Sequence, residues 1–173
     1  MQKRVLLLLA LASALHSTPL LAVDDIKILP TPVKLDTKRS SGEGNMNVES
    51  KNIAYSVKVT SSAFTEITNL TVKYNIFYEV VELGSKGEPD INVSSGSHAI
   101  PSLLTNRPVE FETDPIKLDK ASLDPGWHFG NGASKRARDR VLGVWFKAFD
   151  STGKQIGEYI NPTTLPKKQK WKD

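Results

Sequence analysis

Between residues 70 and 80, in a strand expected over 70–83, every second residue is apolar: Leu70, Val72, Tyr74, Ile76, Tyr78 and Val80 share one parity. Successive side chains of an extended strand point to opposite sides, so this spacing gives a strand with one apolar face. The spacing returns at Ile53, Tyr55, Val57 and Val59, and again at Leu142, Val144, Phe146 and Ala148. A chain that repeats it must bury those faces against one another, and layered sheet is the solution.

The rest of the chain fits that plan. Residues 24–36 read as short extended pieces broken by Pro30 and Pro32, which confine them to a sheet edge or a bulge. Residues 38–47 (KRSSGEGNMN) are polar and glycine-bearing, hence a loop. Gly84 to Gly87 marks a turn; residues 91–100 form a weaker strand, its serines and Gly96 suited to an edge. Residues 109–113 form another strand, 120–123 a single helical turn, and Pro125-Gly126 the centre of a tight turn. The strand at 141–149 turns back through Asp150 to Gly153 into 155–160. About seven strands at roughly ten-residue spacing predict an all-β, immunoglobulin-like Greek-key β-sandwich. Within it Leu142, Val144, Phe146 and Ala148 point inward, and Lys147 and Trp145 lie on the other face.

Lys3 and Arg4 precede an apolar run from Val5 to Leu15, and small residues follow at Ala22. That layout is a secretory signal peptide, too short to span a bilayer, which needs ~20 apolar residues. The expected organisation is a signal peptide at 1–22, a sandwich at 23–162 and a basic C-terminal tail at 163–173. The mature chain is then exported, to the periplasm or the cell surface, without a transmembrane segment. It has no cysteine, so neither disulfides, a thiol nucleophile nor a lipidated cysteine is available. Charge is uneven: residues 23–132 hold 11 basic and 15 acidic residues, and 133–173 hold 10 and 4.

Residues 55–80 (YSVKVTSSAFTEITNLTVKYNIFYEV) and 134–159 (SKRARDRVLGVWFKAFDSTGKQIGEY) resemble the small exported immunoglobulin-like proteins of verrucomicrobial bacteria. Some of those are encoded near type IV pilus genes in mucin-dwelling gut species. The resemblance implies an immunoglobulin-like fold and a surface or periplasmic setting, and it carries over no catalytic residue.

Catalytic patterns are lacking. No P-loop, GxGxxG, GxSxG or HExxH occurs. His98 and His128 are far apart, and neither spacing nor company makes a zinc set. Glu110, Glu112 and Asp114 share one strand face, the pattern of a solvated edge. No cofactor is expected. The segment 124–140 (DPGWHFGNGASKRARDR) stands out, with Trp127, His128 and Phe129 beside Lys135, Arg136, Arg138 and Arg140. Aromatic rings and guanidinium groups in a connection at one end of a sandwich form a candidate binding loop. Lys167, Lys168, Lys170 and Lys172 can extend its positive charge. A second candidate is apolar: Phe77, Val81, Trp145 and Phe149 lie opposite the core-facing residues of the two strongest strands, so they need another cover. A loop, the 24–36 segment, a partner or a second copy would supply it.

These features describe an exported, non-enzymatic binding or assembly module of the cell envelope, with pilus association implied by the resemblance. Its partners are a protein, or itself, through a sheet face, and an anionic glycan or envelope polymer, with no nucleic acid. A carbohydrate-binding module or adhesin is the alternative, and a hydrolase with a site near Asp124 and His128 is a third reading.

Overall fold

The computed structural model describes residues 25–42 and 45–172; the signal peptide expected at 1–22 lies outside them. Nine strands follow in order: β1 (Ile26–Gly42), β2 (Met46–Ser61), β3 (Ile67–Val80), β4 (Asp90–Leu103), β5 (Val109–Glu112), β6 (Ile116–Leu123), β7 (Arg136–Arg138), β8 (Arg140–Phe149) and β9 (Gln155–Asn161). One 3₁₀ turn, Leu165–Lys167, ends the series. The strands make two antiparallel sheets. One runs β1-β2-β6-β7, with β5 also on β2; the other runs β4-β3-β8-β9.

The alternating residues build the core between the sheets. Tyr55, Val57 and Val59 of β2 share one cluster with Leu70, Val72, Tyr74 and Ile76 of β3 and Val144, Phe146 and Ala148 of β8. Phe146, Leu70, Val72 and Ile76 are fully buried, each contributing on the order of 1.5–3 kcal/mol by leaving water. Leu142 departs from its expected inward position. Phe77 pairs with Gly143 and Tyr78 with Val141, so Leu142 is the extra residue of a bulge. The bulge resets the period: Val141 packs on the core and Leu142 is left half-buried.

Other segments also differ from their sequence pattern. β1 runs unbroken through Pro30 and Pro32 and takes in residues 38–42, expected as loop. Both prolines are tolerated because β1 is an edge strand. Residues 120–123 are the end of β6 rather than a helical turn, and β7 is a short strand the sequence did not announce.

The C-terminal residues are not a free tail. Leu165 is buried over Gly143, where a Cβ would stand 3.0 Å from Leu165 Cδ1 and 2.7 Å from the Asn161 carbonyl. Trp171 meets Trp145 edge-on at 5.5 Å, and the Lys172 carbonyl accepts a 3.0 Å hydrogen bond from Asn75 Nδ2. These contacts strap the outer face of β3 and β8, where Asn75 and Phe77 are buried. The Lys147 ammonium lies between the two indoles, 5.0 Å from Trp145 and 4.6 Å from Trp171. The strap is therefore a cover for the second apolar face, supplied by the chain itself.

Candidate binding site

β2 keeps its alternation along its whole length, so Asn47, Glu49 and Lys51 fall on the face that carries Ile53, Tyr55, Val57 and Val59. At that end the face opens onto a groove of about 260 Å³ instead of a core, lined by Arg39, Asn47, Glu49, Lys120 and Ser122 among others. The register defines its surface row by row. Arg39 lies opposite Glu49, Glu49 opposite Lys120, and Lys120 opposite Arg138. The next row outward is Ser41, Asn47, Ser122 and Arg136. One row inward, Lys51 stands between Thr37 and Leu118. Directly opposed residues of an antiparallel pair share a face, so Arg39, Lys51, Lys120, Arg136 and Arg138 all look into one shelf. Four strands at a spacing of ~4.8 Å spread that charge over roughly 14 Å.

One carboxylate serves this shelf unevenly. Glu49 takes Arg39 Nε at 3.2 Å and Lys51 Nζ at 3.0 Å. The Lys51 hydrogen bond, reinforced by Arg39, holds the Glu49 carboxyl below its ordinary value. Among the described residues Lys120, Arg136 and Arg138 make no ion pair. Lys120 and Arg138 nevertheless stand directly opposite one another, an arrangement that costs stability when the charges are alike.

The loop between β6 and β7 is tied to the start of β2 at this end. The Asp124 carboxylate accepts a hydrogen bond from Asn47 Nδ2, and Asp124 N–H donates to the Asn45 carbonyl at 2.8 Å. The aromatic trio then divides. Phe129 lies over Gly84, where a Cβ would stand 2.9 Å from two ring carbons, and Asn131 Nδ2 donates to the Gly84 carbonyl. Gly84 has φ +85°, so the turn and the ring both require glycine there. His128 is exposed, and Trp127 keeps 55% of its surface open.

The basic candidates divide as well. Arg136 and Arg138 look into the shelf. Arg140 instead grips Glu79 of β3 with two contacts of 2.5 and 3.3 Å. Lys135 is exposed in the loop, its carbonyl accepting from Leu123 N–H at 3.1 Å. Lys172 belongs to the strap, far along the chain from the shelf strands. Of the apolar four, Phe77 is buried, while Val81, Trp145 and Phe149 are half-buried. Lys73 Nζ stands 5.6 Å from the Phe149 ring, and Trp145 Nε1 donates to Glu158 at 2.9 Å.

Remaining candidates take local partners. His98 is a β4 residue, stacked on Phe111 at 4.2 Å. Glu110 pairs with Lys58 at 3.6 Å. Asp114 accepts from the Tyr74 hydroxyl at 3.1 Å, and its N–H donates to that hydroxyl at 3.0 Å; burial raises the Tyr74 phenol above its ordinary pKa. Among the described residues no group of three or more His, Asp or Glu side chains converges as a metal site, and no helix is long and apolar enough to cross a membrane.

Sequence patterns did not single out Arg39, Lys51, Lys120 or Asp139. Asp139 sits where the chain passes from β7 in one sheet to β8 in the other. Its carboxylate accepts from Val81 N–H at 2.9 Å and from Asp119 N–H at 2.8 Å, and its own N–H donates to the Asp119 carbonyl. One buried side chain thus ties both sheets at the root of the shelf. Lys51 was recoverable, because it continues the odd parity of Ile53 and Tyr55.

No family model matches the chain, and no curated protein matches it. Among solved structures, the X-ray structure of the Northeast Structural Genomics Consortium target SoR45 is similar over 87% of this chain and 98% of that one, at 8% identity and a TM-score of 0.35. That likeness is too slight to carry a fold or a function across.

Proposed function

We propose that this chain is an exported, non-catalytic binding or assembly module of immunoglobulin-like type, and that the basic shelf is its ligand surface. The strand order supports the fold reading: β1-β2-β6 and β4-β3-β8-β9 correspond to the A-B-E and C′-C-F-G arrangement of such sandwiches. The observation that carries the function is the Lys120–Arg138 opposition. The chain places like charges face to face beside a carboxylate already held by two other cations. An anion laid on the shelf relieves that repulsion, so the ligand is anionic, and an envelope polymer or acidic glycan fits the span.

Trp127 favours a glycan. It is exposed three residues beyond Asp124, which grips Asn47 of the shelf, and an indole there offers a flat surface to a sugar ring. The hydrolase reading has less support, since Asp124 engages Asn47 and His128 projects into solvent. The test is a thermal melt at low salt with added heparin fragments. The wild type should melt higher with ligand, and a Lys120→Ser, Arg136→Ser, Arg138→Ser variant should not respond. An equal response in both would remove the shelf from the function.

A further inference from the structure

Besides β5, which is four residues long with two glutamates and pairs only with β2, four strands end the two sheets, and they are not protected alike. An open edge offers unpaired N–H and C=O groups to any other strand, and natural proteins blunt it with charge, proline, bulges or brevity. β1 carries Pro30 and Pro32, a bulge between Lys34 and Asp36, and lysines at 27, 34 and 38. β7 is three residues long, two of them arginine. β9 carries Glu158 and lies against the start of β1, a Cβ on Gly157 falling 3.0 Å from Ile26. β4 has little of this: Trp171 and Lys172 of the strap line a hollow with Ser95, Gly96 and Ser97, but from Ile91 to Ile100 the strand itself carries no proline, bulge or charge. It is a 14-residue strand whose far side pairs with no strand among the described residues. It has no bulge against β3. From Ile91 to Leu103 it has no Lys, Arg, Asp or Glu, and its one proline, Pro101, lies near the end.

We infer that β4 is a strand-addition site, and that its occupant is β4 of a second copy of this chain. The other edges of a second copy would bring proline, a bulge or charge against it, and β4 from Ile91 to Ile100 brings none. A two-fold axis perpendicular to the sheet runs two β4 strands antiparallel and keeps inner face beside inner face. About Gly96 the opposed pairs are Ser95 with Ser97, Ser94 with His98, and Val93 with Ala99. All are small or uncharged, so nothing repels. The two four-stranded sheets join into one of eight, and the interface is isologous and closed. The shelf lies on the other sheet, so a dimer presents two shelves, and this inference stands independently of the shelf's ligand.

Light scattering across a concentration series tests it, read beside hydrogen exchange of the β4 amides. The expected result is a mass rising to twice the monomer, with slowed exchange along β4 as it does so. Ser95 and Ser97 are exposed, so Ser95→Lys with Ser97→Lys, and Ser95→Glu with Ser97→Glu, should each give a folded monomer. Mixing the two variants should restore the doubled mass. A wild type that stays monomeric at the highest attainable concentration, or a dimer that both variants leave intact, overturns the proposal.

Discussion

The two halves of β2 present one face to two different environments. From Ile53 to Val59 its odd residues are apolar and sit against β3 and β8. From Asn47 to Lys51 the same parity is polar or charged and looks into an open groove. β2 itself carries no bulge, although its neighbours change at the boundary, where β1 bulges between Lys34 and Asp36 and β5 takes over from β6. For the odd face the change is the presence of a facing sheet. Where one stands opposite, burial selects Tyr and Val; where none does, the face is free to hold charge, and the chain fills it mostly with one sign.

That contrast ranks the expected effects of substitution. Phe146→Ala, on the apolar half, removes a fully buried ring and should cost ~3–5 kcal/mol, measured by urea unfolding. A cost near that of a surface change would mean the core is not centred there. Asp139→Ala, at the junction of the halves, loses two hydrogen bonds to a buried carboxylate and should cost about 3 kcal/mol. Exchange at the Val81 and Asp119 amides should rise with it; protection that persists would show that the carboxylate is not their acceptor. On the charged half, changes are small and can take either sign.

The same contrast explains what the sequence made legible. Alternation revealed β2, β3 and β8 because one face of each is buried, and the turn at Asp150 to Gly153 revealed β9. Residues 38–42 of β1, the end of β6 and all of β7 lie where the sheet runs past the sandwich. No apolar face is required there, so TKRSSG and KASL carry no period-two signal, and the loop and helical-turn readings followed. The site suffered with them, since Arg39 and Lys120 belong to those hidden strand ends. Arg136 and Arg138 were visible as a basic run, but their i, i+2 spacing mattered more than their number: it puts both on the shelf and leaves Ala137 buried behind. Leu142 was misplaced because a bulge leaves no mark in composition. The strap was missed because its anchors, Leu165 and Trp171, are isolated among lysines and prolines.

The central claim is that the shelf keeps repelling cations together for a ligand, and Lys120→Ala tests it most directly. Lys120 is exposed, so its removal should leave packing alone and relieve a like-charge pair worth roughly 0.2–1 kcal/mol. Melting at low salt should rise slightly in the free protein, and should fall below the wild type once saturating heparin fragments are present. A variant that melts lower than the wild type in both conditions, or one that gains as much from heparin, would contradict the account.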